Sequence, residues 1–131
     1  MDDLATLAVT PVVDVADERL RIVLEVEVPA GVHIEPHVPA DPFLIPTVVT
    51  VNGLNDAEVT YPDPVAKDLG WNGVALMVLE GPLRFVVTGR QRPDSEVVSG
   101  GISYQPCVGG ACLPPRTVTW STRLTPAPVG T

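Results

Sequence analysis

The placement of fifteen prolines along 131 residues constrains this chain more than any other feature. Proline fixes φ, lacks a backbone N–H, and is accepted in a helix only at the first turn. The longest proline-free stretches, 12–28 and 65–81, carry alternating residues or internal glycines instead of helical spacing. Helical bundles and α/β folds are therefore largely excluded, and a mostly β domain is expected.

Residues 18–28 set the pattern. Leu20, Ile22, Leu24, Val26 and Val28 alternate with Arg19, Arg21, Val23, Glu25 and Glu27. Period 2 over this length predicts a strand with one face buried and the other in water. Shorter runs of the same kind lie at 6–13, 47–51, 56–61, 74–79, 82–88, 97–105 and 116–124. Between them stand turn signals: Pro29-Ala30-Gly31, Asn52-Gly53, Asn72-Gly73, Gly81-Pro82 and Arg92-Pro93-Asp94. Strands at this spacing predict an all-β, immunoglobulin-like β-sandwich, with a small closed barrel as the rival.

Two stretches are read as loops rather than strands. Residues 30–46 hold four prolines and predict an extended excursion over the surface or one end. Residues 62–73 form a second long loop, in which Leu69 and Trp71 either tuck into the core or cover something. One domain over residues 1–124 and a Pro-rich linker or tail over 125–131 account for the chain. No apolar run approaches the ~20 residues of a membrane span, so the chain as given is expected to be soluble. With a formal net charge of −8 and no Lys/Arg cluster, nucleic acid and anionic lipid are poor candidates as partners. The charge is uneven: the acidic excess lies in the first half, and no acid follows Glu96. The mildly basic C-terminal strands also carry both cysteines.

Those cysteines define the most informative segment, running from Tyr104-Gln105-Pro106-Cys107 to Cys112-Leu113-Pro114-Pro115. Four residues separate them, Val108, Gly109, Gly110 and Ala111, small enough for the backbone to turn back and the sulfurs to meet. As a structural staple such a bond is weak: a closed loop of about six residues stabilises by roughly 2 kcal/mol, against ~4.7 kcal/mol for a loop of 100. It would also join neighbouring strands, whereas an immunoglobulin-type staple ties two sheets across a long separation. A short, glycine-rich loop, near the surface and free of acids, is better suited to opening and closing; the absence of acids favours the thiolate, and Arg116 adds a modest bias. A redox-active pair and an inert staple both stay open on this reading.

At this segment the sequence resembles the N-terminal (alpha) domain of the thiol:disulfide interchange protein DsbD. The family's Y-Q-x-C…C-x-P-P signature is matched by Tyr104, Gln105, Cys107, Cys112, Pro114 and Pro115. The order of Gly31-x-His33-Ile34, Ile45-Pro46-Thr47, Tyr61-Pro62 and Glu80-Gly81 follows the family's layout, and the match spans residues 8–124. The resemblance implies an immunoglobulin-like domain, without a cofactor, that relays electrons outside the cytoplasm. A thioredoxin-like domain would supply them, itself reduced through a membrane domain. A periplasmic disulfide isomerase or another thioredoxin-fold protein would accept them. Carried over by position, Cys107 and Cys112 are the catalytic pair; Cys112 forms the mixed disulfide with the partner and Cys107 resolves it. The family also carries a cap loop that shields the disulfide, for which the residues at 67–73 are the counterpart, with Trp71 or Leu69 as shield and Asp68 as a nearby acid. Pro106 and the apolar residues Val108 to Ala111 depart from the family's pattern. The resemblance further implies a monomeric domain, tethered to a membrane domain in a longer protein. Met1-Asp2-Asp3 and the Pro-rich end suggest an excised piece with its signal peptide omitted.

Other sites weigh less. His33 and His37 with the two cysteines could form a Cys₂His₂ metal site, but Pro36 interrupts the histidines and a long gap in sequence separates them from the cysteines. Loop histidines with local hydrogen bonds are expected, and no metal. No G-x-S-x-G element supports a hydrolase. Trp120, in strand period with Val118, reads as core packing. Tyr104 either packs against a disulfide or ends a strand. The reading from a different class is an immunoglobulin-like binding or adhesion module with a purely structural disulfide.

Overall fold

The structure, a computed structural model, describes residues 6–16, 19–39, 43–68 and 75–124. Its strands are β1 (Ala8–Ala16), β2 (Arg19–Glu27), β3 (Val32–His33), β4 (Val48–Asn52), β5 (Leu54–Thr60) and β6 (Val65–Asp68). They continue as β7 (Ala75–Val78), β8 (Pro82–Gln91), β9 (Val97–Tyr104), β10 (Cys107–Val108), β11 (Ala111–Cys112) and β12 (Arg116–Arg123). Among the described residues no helix is long and apolar enough to cross a membrane.

Two antiparallel sheets share the core. One runs β1-β2-β8-β5, the other β12-β9-β4. This is the seven-strand order of an immunoglobulin constant-type sandwich, four strands facing three. The two described sheets do not close on one another, so the expected barrel alternative gives way to the sandwich. The alternation in β2 decides which face is in: Leu20, Ile22, Leu24 and Val26 are buried while Arg21, Glu25 and Glu27 stay in water. Against them pack Phe85 and Val87 of β8, then Val49, Val98, Ile102 and Trp120 of the facing sheet. Each such side chain contributes roughly 1.5–3 kcal/mol of burial. Pro11 is tolerated because β1 is an edge strand, where a missing ladder donor costs little. Gly31, Gly53 and Gly81 take positive φ at the expected turns.

Two loop expectations need correction. Within 62–73, Val65–Asp68 is a strand, paired antiparallel with β7 in the register Val65↔Val78 to Asp68↔Ala75. Within 30–46, Val32–His33 is a strand as well, paired with β10. β3 is only two residues long and pairs with a segment far along the chain, whereas β6 is a four-residue strand that follows Pro62 and Pro64 and pairs with its neighbour β7. The expected linker, 125–131, lies outside the described residues.

Candidate functional site

The connection between β9 and β12 holds the cysteines. β10 and β11 form a hairpin with Cys107 directly opposite Cys112 and Val108 opposite Ala111. Gly109 takes φ 59°, which L side chains rarely adopt, as the first central residue of a two-residue turn. Leu113 N–H donates to the Pro106 carbonyl at 2.8 Å and closes the hairpin's base. Cys107 and Cys112 are joined in a disulfide.

The two sulfurs face different surroundings. Cys107 is 1% exposed, whereas Cys112 is exposed. The asymmetry comes from β3, which pairs with β10 on the side away from β11, in the register Cys107↔His33 and Val108↔Val32. Ile34 then exchanges two backbone hydrogen bonds with Leu79, at 2.9 and 2.8 Å, tying the same segment to the chain after β7. Residues 32–36 are buried without a break, with Val32 and Ile34 in the core and the cysteine hairpin paired along Val32 and His33.

This segment brings two ionisable groups to Cys107. His33 and Glu35, each 3% exposed, place ligand atoms within 4.8 Å of each other and of the Cys107 sulfur. Burial holds the His33 pKa below its ordinary value, the Lys67 ammonium lowers it further, and Glu80 opposes both. Lys67 and Glu80 form an ion pair at 2.6 Å. Burial pushes the Glu35 carboxyl above the usual carboxylate range. Nδ1 of His33 is buried without a hydrogen-bond partner among the described residues. The expectation of an acid-free setting for the cysteines is therefore wrong in space, though right along the chain: Glu35 arrives from the other side of the sequence. Val32-His33-Ile34-Glu35 between Gly31 and Pro36 has strand alternation, the signal that could have placed it beside another strand.

The remaining expected residues fall as follows. Tyr104 ends β9 in the core, 1% exposed, and its hydroxyl oxygen accepts from the Leu7 N–H at 3.3 Å. Gln105 is half-buried, Pro106 buried, and Pro114 exposed. Asp68 ends β6, and its side chain lies outside what is described. Leu69 and Trp71 also lie outside the described residues. His37 is not with His33: Nδ1 stands 3.0 Å from the Thr47 carbonyl and its ring stacks on Tyr61 at 3.8 Å. Thus His37 has the local hydrogen bond expected of a loop histidine, and His33 does not. Trp120 is 5% exposed within the core, as expected.

No protein-family model matches the sequence, and no curated protein matches it. Solved structures do. The N-terminal periplasmic domain of ScsB from Proteus mirabilis superimposes with a TM-score of 0.71 at 18% identity, covering 95% of this chain. The chain spans about half of that protein's length, 49%. The DsbD N-terminal domain of Neisseria meningitidis in its reduced form matches at TM-score 0.47 and 16% identity, over 88% of this chain and 85% of that one. The same species' complex of the DsbD and PilB N-terminal domains matches at 0.47 and 14%, over 86% of this chain and 80% of that one. The match at 0.71 shows that the chain has the fold of the ScsB N-terminal periplasmic domain.

Proposed function

We propose that this domain performs thiol–disulfide interchange through Cys107 and Cys112 as an extracytoplasmic protein-disulfide reductase module. The observation that carries the reading is the split environment of the disulfide: Cys112 exposed at the hairpin edge, Cys107 buried against His33 and Glu35. An incoming thiolate must approach in line with the S–S bond, and only Cys112 offers its sulfur to a partner. Attack there forms the mixed disulfide on Cys112 and releases the electron pair to Cys107. In the reverse direction Cys107 attacks and frees the partner. Around Cys112 the exposed side chains are small or apolar, Val108, Ala111, Leu113 and Pro114, a rim on which a thioredoxin-fold protein can dock.

The wider arrangement is part of the same proposal. Electrons come from a thioredoxin-like domain, pass through this monomeric domain, and go to a periplasmic disulfide isomerase or similar acceptor, with the domain tethered to a membrane domain in a longer protein. A disulfide persists in an oxidising compartment, and the fold is that of a periplasmic domain. Asp68, Leu69 and Trp71 serve as the shield, a role supported by the resemblance alone; Trp71→Ala is then expected to speed alkylation of the reduced thiols.

The direct test is trapping. Cys107→Ala leaves Cys112 free to capture a thioredoxin-fold partner as a stable mixed disulfide, visible on a non-reducing gel. Capture through Cys107 in a Cys112→Ala variant, and none in Cys107→Ala, would overturn the assignment of roles.

A further inference from the structure

The cysteine hairpin carries more than a dithiol. His33 and Glu35 put one ring nitrogen and one carboxylate oxygen within 4.8 Å of the Cys107 sulfur, and all three residues are buried. The Cys112 sulfur, bonded to that of Cys107, is the exposed fourth donor. Independently, Nδ1 of His33 is buried with no hydrogen-bond partner among the described residues.

We propose that the reduced hairpin holds one Zn²⁺ ion through the Cys107 and Cys112 thiolates, a ring nitrogen of His33 and the Glu35 carboxylate. Two soft sulfurs with one nitrogen and one oxygen make a borderline set that suits tetrahedral zinc better than magnesium or calcium, which favour all-oxygen sites. Zinc needs about 2.3 Å to sulfur and about 2.0–2.2 Å to nitrogen or oxygen, so its ligand atoms sit about 3.5 Å apart. The three clustered donors therefore have to draw together by about 1 Å, and Cys112, whose sulfur is not within that cluster, has further to come, through rotamer shifts once the S–S bond is open. The open edge at Cys112 is the way in for the ion.

The site is gated by redox state. In the disulfide neither sulfur is a thiolate, and the thiolate is the metal ligand. A phosphine reductant breaks the S–S bond with two electrons and becomes the phosphine oxide, water supplying its oxygen and the protons that leave two thiols. Zinc then displaces the two thiol protons to solvent. An ion held there occupies both sulfurs, so thiol–disulfide exchange stops while it stays. The inference shares with the proposed function the premise that the bond is reducible in the folded protein.

The test titrates Zn²⁺ alone into the oxidised and the phosphine-reduced protein, in competition with a chromophoric chelator. X-ray absorption on the loaded wild-type protein then gives the ligands without any substitution. The expected result is one equivalent bound by the reduced form only, with two sulfurs at about 2.3 Å and an imidazole in the first shell. His33→Gln is expected to weaken the binding ~10-fold or more, since even outer partners of ligands cost that much. Equal uptake by the oxidised form, no uptake by the reduced form, or a first shell of sulfur and water without imidazole would overturn the site. If the phosphine leaves the bond intact until the protein unfolds, the proposed function and this site both fall. A reduced protein that ignores zinc removes the site alone.

Discussion

Reducing the Cys107–Cys112 bond should weaken this protein measurably and leave it folded. The perturbation opens a loop of about six residues, for which chain entropy assigns the bond roughly 2 kcal/mol. Little is lost on the native side. The hairpin is still held by the pairing of β10 with β3, by the hydrogen bond from Leu113 to Pro106 at 2.8 Å, and by the buried position of Cys107. None of the core side chains Ile22, Leu24, Phe85 or Ile102 depends on the bond for its place in the two main sheets. Domains carry about 5–15 kcal/mol of stability, so the reduced state remains cooperative. For a domain of this size about 2 kcal/mol corresponds to a midpoint lower by about 8 °C. Urea unfolding followed by far-UV circular dichroism, with and without a phosphine, reads the difference. A reduced protein already unfolded without urea, or a loss above about 4 kcal/mol, would refute the reasoning and make the bond a staple.

Two further outcomes follow from single side chains. Glu35 has its pKa raised above 4.5 by burial, so its favourable contribution is fully present below that value and is lost as pH rises through the folded pKa. Glu35→Gln should therefore gain stability over wild type at pH 8 and little at pH 4, read as urea midpoints; the same difference at both pH values would contradict this. His33, with its pKa lowered from 6.5, has the opposite slope, losing its contribution as pH falls below that value, and does so in both proteins. Gly100 in β9 leaves no room for a side chain, since a Cβ would lie 1.8 Å from the Thr50 carbonyl oxygen and 3.0 Å from the Trp120 ring. Gly100→Ala must part β9 from β4 and should cost about 1–3 kcal/mol or more in urea unfolding, whereas an unchanged midpoint would mean that the strands separate freely.

The sequence discloses the sandwich where one residue face decides the structure. The alternation of Leu20, Ile22, Leu24 and Val26 needs no partner to be read, because burial on one side imposes it. The prolines and glycines between strands speak as plainly, since turns demand their backbone angles. The cysteine pair was legible for a related reason: Gly109 and Gly110 permit a tight hairpin within a single segment. What the sequence conceals is the third dimension of the site. β3 is a two-residue strand whose partner, β10, lies far along the chain, so its own short alternation does not say what it pairs with. The encounter of His33 with Cys107 belongs to that class, and so does the arrival of Glu35 in a segment that holds no acid of its own. A buried carboxyl next to a buried imidazole is set by topology, which joins the connection after β2 to the one after β9.

The reduction potential of Cys107–Cys112 in the folded protein tests the central claim most directly. Equilibration with dithiol buffers of graded potential, with alkylation of free thiols counted by mass, gives the value while circular dichroism monitors the fold. A reversible transition between about −270 and −120 mV, the span of thioredoxin-like proteins, with the fold intact throughout is the expected result. A bond that stays oxidised below about −300 mV, or opens only as the domain unfolds, would contradict it and leave an immunoglobulin-like module with an inert disulfide.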